Sequence, residues 1–346
     1  MQKLLDRLLQ QGLEEGCYPG AAAAVGDASH VWAVSTAGVI AQGGPAVNRE
    51  TRYDMASLSK VLGPTMIALR FIEEGRLGLY DTIGTFFPDA PEDKRGITVF
   101  QLMTHTAGFN PSFWLDKLTS DPEDALRVLL QHPLDNPPGG APSYSCMGYI
   151  TLGKMLENLG GKPLNALADE MVFQPLGMKN TCYCPTGDNI AATEVCAETG
   201  IAWQGIVHDE NARFLRGISA NAGVFSCIDD MITFAQMLAR GGDGYLSPAM
   251  MAKATRCYTP TADVHRGLGF HLAGTEFHFM GDLFPDCSFG HTGFTGTSLA
   301  VDPTTGVFAV LLSNRVHPTR ENLKLMRFRR LFHNALYAEA SRKKQN

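Results

Sequence analysis

Short β-forming runs stand at both ends of this chain with a long helical stretch between them, and that order restricts the fold more than any other feature. Residues 21–25 and 31–39 are apolar runs joined by Gly26-Asp27-Ala28-Ser29, the pattern of a hairpin. Strand-like runs return at 267–272, 287–290, 297–301 and 307–313, each bounded by Gly, Pro or Asp. Between the two sets, residues 60–74, 124–131, 148–159, 163–172 and 228–240 carry helical spacing and are separated by Pro/Gly loops. An amphipathic helix opens the chain, with Leu4, Leu5, Leu8 and Leu9 on one face, and another covers about 321–340. Strands from the two ends share a core only by joining one sheet. The expected fold class is therefore α/β (α+β): a sheet built from both termini and flanked by helices, with an inserted, mainly helical region.

Composition narrows the function classes. Of 346 residues, 45% are hydrophobic and 18% charged, enough for a large core and unlike a disordered chain. Acidic residues exceed basic ones by 35 to 29, and the short run Arg342-Lys343-Lys344 reads as a solvated tail, so no nucleic-acid surface is expected. No stretch of about 18 apolar residues exists, so no membrane span is expected, and the first helix lacks the form of a secretory signal. A cytoplasmic location and reduced thiols follow as expectations for the eight cysteines. Cys182-x-Cys184 with Cys196 and His208 does not match a common zinc spacing, and no metal is expected.

The chemistry begins with Ser57-Leu58-Ser59-Lys60 at the start of a helix. Residues three apart share a helix face, so Ser57 and Lys60 can meet there. A serine hydroxyl becomes a nucleophile when a neighbour takes its proton, and a desolvated lysine can do so. Alone the motif is uninformative, because about one Ser-x-x-Lys arises by chance in a chain of this length. Its partners give it weight. Pro137-Pro138-Gly139-Gly140 leads to Tyr144-Ser145-Cys146 just before a helix, and His291-Thr292-Gly293-Phe294 joins one strand to the next. Leu102-Met103-Thr104-His105-Thr106-Ala107-Gly108 lies between Lys60 and Pro137.

In that order of motifs the chain resembles the penicillin-recognising serine hydrolases, in the branch of class C β-lactamases, D-alanyl-D-alanine carboxypeptidases and family VIII-type esterases. The resemblance covers about residues 21–336. It implies a β-lactamase/DD-peptidase-like fold with an antiparallel sheet in a single catalytic domain, 1–346, with an α/β part at about 1–56 and 243–346 and a helical part at about 57–242. It also implies acyl transfer without a cofactor on a small-molecule or short-peptide substrate. Ser57 matches the acylated nucleophile, Lys60 its base or proton relay, and Tyr144 the phenol that exchanges protons with the serine and the leaving group. His291 stands at the lysine of the Lys-Thr-Gly box, and Thr292 and Gly293 line the strand on which substrate lies. A glycine there leaves room for an extended substrate backbone. The backbone amides of Ser57 and Phe294 match the oxyanion hole.

Cys146 departs from the pattern, since relatives carry Asn there to hold the lysine and a substrate amide. A thiol does neither well, which favours esters over amides; equally, Cys146 fills space while water or another residue substitutes. A role for Cys146 as the nucleophile is the weaker option. His105 is expected to cap a helix or fix a loop, and His208-Asp209 to form either an oriented pair near the pocket or a structural hydrogen bond. Phe113, Trp114 and Trp203 fall in loops that either line a cleft or are ordinarily packed. A binding module that kept this fold and lost turnover remains the alternative reading.

Overall fold

The structure, a computed structural model, describes residues 1–111, 113–276 and 278–345. Strands β1 (Gly20–Gly26), β2 (Val31–Gly38), β6 (His271–Leu272), β7 (Phe289–Thr292), β8 (Ser298–Val301) and β9 (Phe308–Ser313) form one antiparallel sheet in the order β2-β1-β9-β8-β7-β6. The first strand thus lies beside the last, with Ala21 opposite Ser313 and Val25 opposite Ala309. This is the sheet from both termini that the sequence predicts.

The alanines of β1 explain how the sheet is covered. All of β1 is buried. Successive side chains point to opposite faces. Ala22 and Ala24 enter one core with Val310 and Leu312, while Ala21, Ala23 and Val25 enter a second with Ala309 and Leu311. Helix Ile228–Ala239 packs on the first face. Helices Gln2–Glu14 and Lys324–Gln345 cover the second through Leu5, Leu9, Phe328 and Phe332. Small residues on this interior strand let helices approach from both sides, where larger ones would overfill the interior.

Three departures from the sequence expectation have local causes. The helix expected over 60–74 is two: Ser59–Leu62 and Pro64–Glu73. Pro64 lacks the N–H that would continue the first and takes the first position of the second. The expected strand 267–272 survives only as β6, because the amides of Leu268 and Gly269 bond to the Ala254 and Met103 carbonyls instead of to a strand. The inserted region also holds a small sheet, β3 (Tyr53–Asp54), β5 (Val224–Ser226) and β4 (Cys182–Tyr183), in the order β3-β5-β4. It pins the residues before Ser57 to the segment after Asn221, with Asp54 opposite Phe225.

Gly290 shows how closely β7 and β8 approach. A Cβ there would lie 1.9 Å from the Leu299 carbonyl oxygen, which belongs to the backbone and cannot move aside. Gly290→Ala is expected to cost about 1–3 kcal/mol of stability, as overpacking does. Urea unfolding monitored by circular dichroism checks this, and an unchanged midpoint would contradict it.

Candidate active site

Ser57 sits in the single-turn segment Ala56–Leu58, which runs directly into Ser59–Leu62, so Lys60 lies one turn on. Lys60 is fully buried, and its ammonium has three protons to place. Nζ donates to Ser57 Oγ at 3.2 Å, to the Asn221 carbonyl at 2.8 Å and to Cys146 Sγ at 3.7 Å. Burial opposes its charge, but the proximity of Cys146, Tyr144 and Asp209 outweighs burial, and the Lys60 pKa is raised. Lys60 therefore carries its proton at neutral pH.

Tyr144 stands on the loop before helix Cys146–Gly160, whose N-cap is Ser145. His105 builds that loop. Its Nδ1 accepts from the Ser145 amide at 3.1 Å, its carbonyl accepts from Ser143, and its ring packs 4.5 Å from the Tyr144 ring. Lys60 Nζ lies 5.0 Å from the Tyr144 ring centre and the Arg266 guanidinium 5.1 Å, so two cations flank the phenol. The Tyr144 hydroxyl is buried without a hydrogen-bond partner among the described residues, as are Nε2 of His105 and Nε2 of His291. An open cleft of about 480 Å³ lies beside them, walled by Tyr144, Arg266, Pro142 and Val264. A larger cleft, about 660 Å³, is remote from these groups, among Arg70, Glu74 and Tyr245.

His291 ends β7 beside Thr292, with Nδ1 2.8 Å from the Thr292 carbonyl oxygen. Burial, reinforced by Arg266 and Lys60, pushes its pKa down to about 3. The imidazole is neutral and does not reproduce the charge of a lysine at this position. His105 is held neutral by burial in the same way, leaving Lys60 and Arg266 as the cations around Tyr144.

Gly293 also has a reason within the protein. A Cβ there would meet the Met55 carbonyl oxygen at 2.3 Å and Thr297 Oγ1 at 2.2 Å. The approach of this loop to the residues before Ser57 by itself requires the glycine. Thr295 and Thr297 stitch the same contact, donating to the carbonyls of Asp54 and Met55 at 2.6 and 3.1 Å. Outside regular helices and strands, no bond from the amide of Ser57 or Phe294 to a backbone acceptor is found among the described residues. Phe294 is half-exposed, its ring held between His208 and Arg315.

Other predicted residues fall outside this cluster. His208 pairs with Glu194 Oε2 at 3.1 Å, not with Asp209, and Glu194 is clamped in turn by Arg320. Asp209 caps helix Glu210–Phe214 through the Ala212 amide and accepts from Asn221 Nδ2 at 2.9 Å. Cys182 contacts Arg52 and Cys184 the Arg216 carbonyl, and no group of three or more potential metal ligands occurs among the described residues. Phe113 stacks on His132, while Trp203 lies edge-on to His208. Two contributors had no sequence signal: the Asn221 carbonyl, which takes up the lysine where position 146 lacks Asn, and Arg266, which precedes β6 by five residues but reaches Tyr144.

Cys146 is pushed up by burial, with the Lys60 ammonium opposing, and stays a thiol at neutral pH. Cys196 is lowered by its hydrogen bonds with Thr199 and Glu198, so it holds more thiolate at a given pH. Iodoacetamide at neutral pH is expected to modify Cys196 well before Cys146, as read by peptide mass spectrometry. Earlier modification of Cys146 would contradict the assigned environment.

Fold and cluster together describe a serine hydrolase of the Ser-x-x-Lys kind, and comparison with known proteins agrees. The Beta-lactamase family model matches residues 5–333, and the chain belongs to that family. A putative D-alanyl-D-alanine carboxypeptidase of Escherichia coli (strain K12) is 30% identical over 77% of this chain and 70% of its own. One from Salmonella enteritidis PT4 is 31% identical over 80% and 72%. Among solved structures, EstCE1, a hydrolase with promiscuous acyltransferase activity, superposes with a TM-score of 0.80 at 24% identity, covering 97% of this chain and 98% of that one. The octameric penicillin-binding protein homologue from Pyrococcus abyssi gives 0.76 at 19% identity, over 97% and 76%. These two likenesses concern the fold.

Proposed function

We propose that the protein hydrolyses an ester or amide of a small molecule or short peptide through an acyl-enzyme on Ser57. The observation that carries this is the buried Lys60 ammonium 3.2 Å from Ser57 Oγ with the Tyr144 ring 5.0 Å away. Ser57 Oγ attacks the carbonyl carbon as its proton passes to the Lys60/Tyr144 pair. Because Lys60 already holds its proton, the acceptor is the Tyr144 oxygen in its anionic form, held so by Lys60 and Arg266, and taking the Ser57 proton makes it a neutral phenol. The amides of Ser57 and Phe294 hold the oxyanion of the tetrahedral intermediate. Tyr144 then returns the proton to the leaving group as the carbonyl–heteroatom bond breaks. Water, activated by the same pair, releases the acyl group and restores Ser57.

His291, Thr292 and Gly293 form the side of the site on which substrate lies, with His291 acting as a neutral hydrogen-bonding group. The unpartnered polar atoms of Tyr144, His105 and His291 favour a polar substrate group here, since unsatisfied buried groups cost about 1–3 kcal/mol each. The carboxypeptidase relatives favour a peptide substrate, and the hydrolase with acyltransferase activity resembles this chain in fold over almost its full length. Cys146 favours the ester. The Asn221 carbonyl supplies the lysine contact, but a thiol offers no carbonyl to a substrate amide.

Ser57→Ala is expected to abolish hydrolysis of p-nitrophenyl butyrate, and an unchanged rate would refute the assignment. Lys60→Ala and Tyr144→Phe should each cost about 10²-fold or more in kcat if they move the proton. Cys146→Asn should raise hydrolysis of a D-alanyl peptide or nitrocefin relative to the ester. An unaltered ratio would show that position 146 does not set the preference.

A further inference from the structure

Ala56, the residue before Ser57, has φ 46°, in the left-handed region where a side chain is disfavoured. No glycine relieves that conformation, so neighbouring contacts must hold it. The contact on its N–H is Asp54 Oδ1 at 2.8 Å. The other oxygen, Asp54 Oδ2, accepts from the His208 amide at 2.7 Å. His208 leads into Asp209, whose carboxylate accepts from Asn221 Nδ2, and the Asn221 carbonyl accepts from Lys60. The Asp54 carbonyl meanwhile accepts from Thr295 Oγ1, next to Phe294. One buried residue thus connects the turn that presents Ser57, the segment that holds Lys60 and the loop that offers the Phe294 amide.

We propose that Asp54 is a positioning residue for acylation: its carboxylate, by accepting from Ala56 and His208 together, keeps Ser57 in register with Lys60, while its backbone carbonyl holds the loop of Phe294. The inference rests on reading Ser57 as the nucleophile. Both oxygens face N–H donors, so the function requires the ionised form. A protonated carboxyl turns one oxygen into a donor, and an O–H facing an N–H breaks one of the two links. Burial pushes the Asp54 pKa up to about 6, against the hydrogen bonds from His208 and Ala56; Asp209 raises it further and Arg213 opposes. The register is complete above that value and is lost as pH falls through it.

The test is the rate at which a fluorophosphonate probe labels the intact protein, followed against pH. In the native protein the rate should fall about tenfold per pH unit below about 6, with probe affinity little changed. Asp54→Asn should lower the labelling rate by about 10²-fold at about pH 7.5 and abolish the acid limb, because the amide does not titrate and can accept from only one of the two amides. A purely structural role would lower the melting temperature without removing that limb. Arg213→Met, which leaves the carboxylate in place but removes the opposing cation, should move the limb to higher pH; it serves even if Asp54→Asn does not fold. An acid limb that persists in Asp54→Asn, or stays put in Arg213→Met, overturns the proposal. Labelling that survives Ser57→Ala overturns the nucleophile reading and this one with it, whereas Ser57-dependent labelling with the wrong pH response overturns this one alone.

Discussion

A fully buried ammonium has to be surrounded by acceptors, and the arrangement around Lys60 follows from that need. Leaving such a charge unpaired in the interior would cost several kcal/mol, more than most single contacts return. The three acceptors come from Ser57, Cys146 and the Asn221 carbonyl, which lie far apart in the chain. Satisfying Lys60 therefore requires the segments 56–60, 145–160 and 219–226 to meet at one point.

The two sheets supply the frame for that meeting. β7 carries His291 and Thr292 into a loop that touches the Met55 carbonyl so closely that position 293 has no room for a Cβ. The small sheet holds Tyr53 and Asp54 against Phe225 and Ser226, just past Asn221. In the large sheet the interior strand β1, rich in alanine, is buried throughout, which stiffens the sheet. Stiffness matters because the contacts among Ser57, Lys60 and Tyr144 span only a few ångströms, and acyl transfer is sensitive to errors of about 1 Å.

Charge in the site is set by burial more than by residue type. His291 and His105 are dehydrated and close to Lys60 and Arg266, so both are neutral, and the positive field at Tyr144 comes from the lysine and the arginine. Asp54 is dehydrated too, but it is held by two amide donors, which keeps ionisation accessible near neutrality. Glu194 shows the converse: despite partial burial, hydrogen bonds from Arg320 hold its pKa down at about 2. His208, drawn to Glu194, is thereby tied into the scaffold under Phe294.

The sequence by itself determined the order of elements and the helical spacing that brings Ser57 to Lys60, because hydrophobic periodicity, turn residues and a three-residue step are local properties. It also marked Tyr144 and the His291–Phe294 segment, since each follows a recognisable turn or strand end. Only the tertiary structure decided that the Asn221 carbonyl would accept from Lys60, that Arg266 would flank Tyr144, and that His208 would pair with Glu194 rather than Asp209. Backbone carbonyls leave no trace in residue identity, and an ion pair is chosen by which segments fold together. The same holds for Gly293 and Asp54. Their residue types are plain in the sequence, but the close approach that excludes a Cβ and the two amides that meet one carboxylate exist only once distant segments have packed.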